Sequence, residues 1–310
     1  MKQRMLEKVS LNVLFIYVLI CILGIWKNWE PEEPSDKALI GGDGGVGGSD
    51  DEGSGEATTD NGEVGDGSLG STNSSVISAD LDLAHRKKVI VTNVSTTFTT
   101  FHAQEVAEGP KIEELLNRLR EEAATNSPTI GAYKPKKGDL AMARFSEDGQ
   151  WYRVKIEKSI NANETQVLYI DYGNREVLPN REIASLPLGA QFSNAPPGAR
   201  EYLFAFTYPD TDPDFVAECR AEFLSETDDK VLLLKTEYRD PTLSLDAATL
   251  VDEGSKKDVL LGLVNDGWLF VDTKTRRTGR LFKKWQQYKE AQETAKKSGV
   301  CVKYFLFILN

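Results

Sequence analysis

The sequence predicts a mainly β fold with added helices, in which a small strand-built barrel interrupts a larger α+β unit. Two observations carry this. Between Gly138 and Arg181, four short runs alternate β-branched or aromatic residues with polar ones, and turn formers close each run. Further strand-like runs and amphipathic helices flank that block on both sides, with no linker to make them separate domains.

The chain opens with a mildly basic decapeptide and an uncharged apolar run, Leu11–Trp26. Its form suggests a signal peptide or signal anchor, yet sixteen residues fall short of the roughly twenty that span a bilayer. From Glu30 to Asp82 there are fourteen acidic residues and one basic, Lys37. That segment carries −13 of the chain's net −11, so the remainder is close to neutral at +2. Twelve glycines lie between Gly41 and Gly70. Such a composition cannot bury enough apolar surface to offset its ordering entropy, so residues 34–85 are expected to be a disordered acidic linker. GGDGGVGG is no phosphate loop, because no strand precedes it and no GK[ST] follows. Three widely spaced cysteines, Cys21, Cys219 and Cys301, make neither a disulfide framework nor a metal site and fit a reducing compartment.

From Arg86 the pattern becomes globular. Lys88–Val94 and Thr97–Gln104 read as strands around a short turn. Pro110–Ala124 reads as a helix, with proline in the first turn and Ile112, Leu115, Leu116 and Leu119 as its apolar stripe. After the central block, Glu201–Tyr208, Lys230–Tyr238, Leu243–Val251 and Trp268–Asp272 read as strands. Asp212–Thr227, Lys256–Asp266 and Gly279–Lys297 read as helices. Phe215, Cys219 and Phe223 recur at helical spacing, which makes Cys219 a small buried hydrophobe. His102 is expected on the polar side of its strand.

In the central block, Asp139–Phe145 stops at Glu147-Asp148-Gly149, and Trp151–Ile160 runs on with one shift in phase. Thr165–Asp171 and Arg175–Leu178 complete it around Gly173-Asn174. Short twisted strands with tight turns favour a closed barrel, since closure removes exposed edges. Phe145, Tyr152, Tyr169 and Tyr172 fall at strand ends that share one rim in an antiparallel meander. Four rings there can form a box open to solvent, with Asn174 and Asp171 nearby, that holds a methylated cation against its π-faces. Trp151 is taken as barrel core, whereas Tyr169 and Tyr172 are expected to stay partly exposed.

FSEDGQWYR followed by VLYIDYGNREVLP resembles a Tudor domain, specifically the extended Tudor domain of the Tudor staphylococcal nuclease family. The resemblance implies a Tudor (SH3-like) barrel at 135–190, inserted into an oligonucleotide-binding-type domain like staphylococcal nuclease, built from 86–134 and 191–298. It places the family's cage phenylalanine, tyrosines and asparagine at Phe145, Tyr152, Tyr169, Tyr172 and Asn174, with Asp171 in support. The implied partners are proteins bearing symmetrically dimethylated Arg-Gly or Gly-Arg motifs, in a family linked to ribonucleoproteins, the RNA-induced silencing complex and RNA decay. The implied location is cytoplasmic or nuclear. GIWKNWEPEE resembles the end of a preceding nuclease-like domain, so residues 1–33 are read as a truncated or mis-joined boundary, the alternative being a membrane anchor. Residues 299–310 depart from the family pattern and are read in the same way.

A nuclease of the staphylococcal kind needs carboxylates for a hard cation and arginines for the phosphorane charge. No such arrangement is legible in 200–298, and no GxSxG, HExxH or Walker pattern occurs. No catalytic residue, metal or cofactor is assigned, and the chain is read as an adaptor and not as an enzyme. The alternative is an RNA-binding or nuclease-associated module contacting phosphates through Arg280, Lys283 and Lys284 on the basic last helix.

Overall fold

In the computed structural model of the chain, residues 83, 85–129, 131–273 and 278–299 are described. The apolar run Leu11–Trp26, the acidic linker as far as residue 82 and the tail from residue 300 lie outside them. β1 (Lys87–Val94) and β2 (Thr100–Glu105) form a hairpin. Thr97–Thr99 do not belong to β2 as expected. Phe98 instead turns through a left-handed backbone, φ 53°, and drives its ring between Phe204 and Phe223. Burying that ring repays the backbone strain. α1 (Gly109–Thr125) follows, with Pro110 in its first turn and Leu116, Leu119 and Ala123 buried.

Next come β3 (Leu140–Arg144), β4 (Trp151–Ser159), β5 (Glu164–Tyr169), β6 (Arg175–Pro179) and β7 (Ile183–Ser185), an antiparallel sheet in the order β6-β5-β4-β3-β7. The phase shift read in Trp151–Ile160 is a register shift between Ile156 and Lys158 against β5. The ladder of this inserted sheet stops at β6 and β7. Pro179 ends β6 without an N–H, and the turn Asn180–Glu182 carries the chain across to pair with β3. The apolar face of α1 packs on this sheet, sharing a core with Val154, Ile156 and Val167.

α2 (Ala190–Asn194) leads back to β8 (Ala199–Phe204) and β9 (Thr207–Tyr208). The single strand expected over Glu201–Tyr208 is broken at Phe206, φ 66°, whose ring enters the core while its N–H donates to the Tyr238 hydroxyl at 3.0 Å. α3 (Pro213–Thr227), β10 (Leu232–Arg239), β11 (Asp246–Asp252), α4 (Val259–Asn265), β12 (Phe270–Val271) and α5 (Gly279–Ser298) complete the chain. The Asp212 carboxylate caps α3 by accepting from the N–H groups of Asp214 and Phe215. The host strands close into a ring, β1-β10-β11-β8-β2, so the inserted sheet lies between two neighbouring strands of a closed barrel. Cys219 is fully buried in the host core, as its spacing predicts.

Two contacts lock insertion to host. Arg153 in β4 spends all five N–H donors. Nε and Nη2 reach Asp171 at 3.0 and 2.6 Å, and the remaining bonds go to the carbonyls of Phe192, Ala195 and Pro196. The Gly198 N–H also donates to Asp171. Both side chains of the pair are 1% exposed. At the second contact, the β5–β6 turn lies on the β1–β2 hairpin. Thr92 donates to the Tyr172 carbonyl at 2.6 Å, Asn93 to the Gly173 carbonyl at 3.0 Å, and Gln104 to the Asp171 carbonyl. His102 is therefore buried and not on a polar face, because the inserted turn covers that side of β2. Gly173 sits at φ +92°, and a Cβ there would lie 2.1 Å from His102 Cγ.

Burial lowers the His102 pKa below 6.5, against the opposing pull of Glu201. The folded chain thus binds this proton less readily than the unfolded one. Stability is full above pH 6.5 and falls as acid approaches the lowered value. Thermal midpoints taken between pH 7.5 and 5.5 should drop on the acid side, and His102→Gln should flatten that dependence. Asp171→Ala strands a buried guanidinium and should remove about 3–5 kcal/mol in urea denaturation. Gly173→Ala should remove at least about 2 kcal/mol, because it adds both a clash and a left-handed strain.

Candidate functional site

Strand register delivers four rings to one rim of the inserted sheet. Phe145 follows β3, Tyr152 is the second residue of β4, Tyr169 ends β5 and Tyr172 lies in the turn before β6. Ala143 pairs with Tyr152, and Val154 with Tyr169, which aligns the three strand ends. Ring centroids are 6.2 Å apart for Phe145–Tyr152, 5.3 Å for Phe145–Tyr169, 6.1 Å for Tyr152–Tyr169 and 5.6 Å for Tyr152–Tyr172. All four pairs cross between 79° and 90°, so positive ring edges meet negative faces.

The box is not open to solvent as the sequence suggested. Phe145, Tyr152 and Tyr169 are 7%, 5% and 1% exposed, and Tyr172 is half-buried. Edge-to-face packing draws the rings together, and the hydroxyls are tied down as well. Tyr152 donates to Asp148 at 2.6 Å and Tyr169 to Glu176 at 2.7 Å. Burial first, and then these carboxylates, push both phenols well above their usual range, so they remain neutral donors. The rings are thereby held against two anionic groups, an electron-rich setting suited to a cation.

Trp151, expected in the core, is half-buried with the Arg144 guanidinium 5.0 Å from its ring centroid. Asp171, expected beside the rings, is turned away to Arg153. Asn174 is half-buried just after the turn, and its carbonyl accepts from the Tyr169 N–H at 3.0 Å. Sequence reasoning passed over three charged groups at the rings. Asp148 lies four residues before Tyr152 in a turn read only as a strand stop, and Glu176 falls in the strand that follows Asn174. The third is Arg120 of α1, whose guanidinium carbon is 4.9 Å from the Tyr152 centroid. Nothing local in the sequence marks Arg120, because only packing brings α1 to β4.

On α5, Arg280 and Lys283 are exposed, while Lys284 is paired with Asp258 at 2.7 Å and lies 5.7 Å from the Tyr288 ring. Among the described residues no helix is long and apolar enough to cross a membrane.

A family model for the Tudor domain matches residues 82–203. Staphylococcal nuclease domain-containing protein 1 of Drosophila melanogaster is 39% identical over 221 residues, covering 70% of this chain and 23% of the fly protein. The chain thus spans less than a quarter of that relative's length. The solved extended Tudor domain of Drosophila melanogaster Tudor-SN is 38% identical with a TM-score of 0.63, covering 69% of this chain and 97% of that one. The extended Tudor domain of human TDRD1, solved with a symmetrically dimethylated peptide, shares the fold at 23% identity and a TM-score of 0.53, over 60% of this chain and 90% of that one. A strand order in which one sheet interrupts another, four rings on the inserted rim, and near-complete coverage of a fly domain at this identity make the chain a member of the Tudor staphylococcal nuclease family, carrying that family's extended Tudor domain.

Proposed function

We propose that this chain is a methylarginine-reading adaptor, in which Phe145, Tyr152, Tyr169 and Tyr172 enclose a symmetrically dimethylated arginine and Asn174 bonds its guanidinium. The observation that carries the reading is the ring cluster itself, four aromatics joined in one contact chain, with the Tyr152 and Tyr169 hydroxyls held by Asp148 and Glu176. Dimethylation leaves the guanidinium charged, adds apolar surface and removes bidentate hydrogen bonding, so stacked rings suit it better than a carboxylate fork. The neighbouring human domain was solved with such a peptide. Arg-Gly tails of ribonucleoprotein and silencing-complex components, in the cytoplasm or nucleus, are the partner class. Each site binds modestly, since a flexible tail loses entropy on docking. The host barrel, 86–134 with 191–298, serves as a nuclease-like scaffold without catalysis of its own.

Exposed Arg280 and Lys283 support a second reading, phosphate contact with RNA through α5. RNA binding of that kind weakens steeply with salt and survives loss of a ring.

Titration of the chain with a symmetrically dimethylated Arg-Gly peptide and its unmethylated twin separates the two. The methylated peptide should bind at least about tenfold more tightly, and Tyr172→Ala, at a half-buried turn position, should erase that difference. Equal binding of the twins sinks the reader assignment.

A further inference from the structure

The ring cluster already holds a cation. Arg120 projects from α1 with its guanidinium carbon 4.9 Å from the Tyr152 centroid. The ring neighbours of Tyr152, namely Phe145, Tyr169 and Tyr172, all meet it at 85–90°, so none of them stacks on its face. Arg120 takes that place. Two residues earlier on the same helix, Arg118 pairs with Glu114 at 2.5 Å. Arg120 makes no ion pair among the described residues; its side chain donates to the Asn117 amide oxygen at 3.1 Å and lies in hydrogen-bonding reach of the Tyr152 hydroxyl. Its Nε is buried with no hydrogen-bond partner. Arg120 is thus weakly held in every respect except its contact with Tyr152, and leaving would return an unpaired donor to water.

We propose that Arg120 is an internal competitor for the aromatic site, a tethered unmodified arginine that an incoming arginine must displace from Tyr152. The inference rests on the methylarginine reading above and sets the affinity threshold that a ligand must exceed. Two cations cannot share one ring face without repulsion, so ligand binding is the difference between two cation–π contacts. A side chain fixed on the same domain acts at an effective concentration on the order of millimolar. An unmodified arginine on a partner offers the ring the group that it already has, and it gains little. A dimethylated arginine brings two methyl groups to a cluster of four rings and is less well solvated outside, so it can win the exchange. Displacing Arg120 lowers the affinity of every arginine tail by one factor, so tails without the extra attraction of the methyl groups fall below useful affinity while methylated ones stay above it. Closely packed rings and a buried Tyr152 fit this arrangement.

The test uses the full chain, an Arg-Gly peptide with one symmetrically dimethylated arginine, and its unmethylated twin. Arg120→Gln keeps the stem and a helix-compatible side chain but removes the cation. It should tighten both peptides by the same factor, about three- to tenfold, and leave the methyl preference unchanged. Arg120→Lys keeps the charge without the planar stack and should fall between the two, which provides a second variant if glutamine unsettles the helix. In the free chain, the Arg120 side-chain protons should show an upfield ring-current shift in NMR spectra that is lost as the methylated peptide saturates the site. A wild-type chain that prefers the methylated peptide, with Arg120→Gln binding it equally or more weakly, overturns the competitor and leaves the reader intact. A ring-current shift that persists at saturation also overturns it. Indifference of both wild type and variant to the methyl groups overturns the reader and, with it, this inference.

Discussion

The guanidinium of Arg153 is the point through which three parts of the chain are held in one arrangement. It projects from the inserted sheet, binds Asp171 beside the aromatic turn, and takes the carbonyls of Phe192, Ala195 and Pro196 on the path back to the host barrel. A charge this deeply buried is tolerable only when every donor is satisfied, and here each one is. The geometry leaves little freedom, since moving the returning chain would expose carbonyls and strip the guanidinium at once. Tyr172 and Gly173 follow Asp171 directly, so the position of the ring cluster relative to the host is fixed by this pair.

The contact between Gly173 and His102 has the same character by a different means. There the lock is steric, because no side chain larger than hydrogen fits between the turn and β2. With Thr92 and Asn93 of β1 and Gln104 of β2 bonding the turn's carbonyls, the host hairpin becomes a wall against which the site is built. An inserted sheet with its own core could have hung from two flexible connections. Instead its turn, its buried carboxylate and one covering helix all belong to contacts with the surrounding unit, which is why the extended domain acts as one body.

Within that frame the four rings lie edge to face, and the available face of Tyr152 carries Arg120. The Tyr152 and Tyr169 hydroxyls end on Asp148 and Glu176, so the cluster joins apolar surface to fixed negative charge without either phenol ionising. This combination suits a group that is cationic and apolar at once. It also explains why the exposed end of the cluster is Tyr172, in the turn, while the strand-borne rings are shielded.

Much of this was legible in the sequence because it is governed by local rules. Alternation marked four of the five strands of the inserted sheet, even the bulge in β4, while β7 went unread, and the motif YIDYGN put two tyrosines and an asparagine at one strand end. Proline and apolar spacing fixed α1, and the acidic, glycine-rich composition set 34–85 apart. Local rules failed where distant segments meet. Phe98 and Phe206 left their expected strands because burying each ring in the host core outweighs left-handed strain. Asp171 was drawn from the rings by Arg153, eighteen residues away in sequence but adjacent across the sheet. His102 was buried by a turn seventy residues further on. The chain alone therefore determined most of the strands, the long helices and the ring set, since period and turn chemistry are properties of neighbours. Only the tertiary structure decided that the box is closed, that carboxylates brace it and that Arg120 covers one ring, because those follow from the docking of α1 and β2 onto a sheet that the sequence could place only in order.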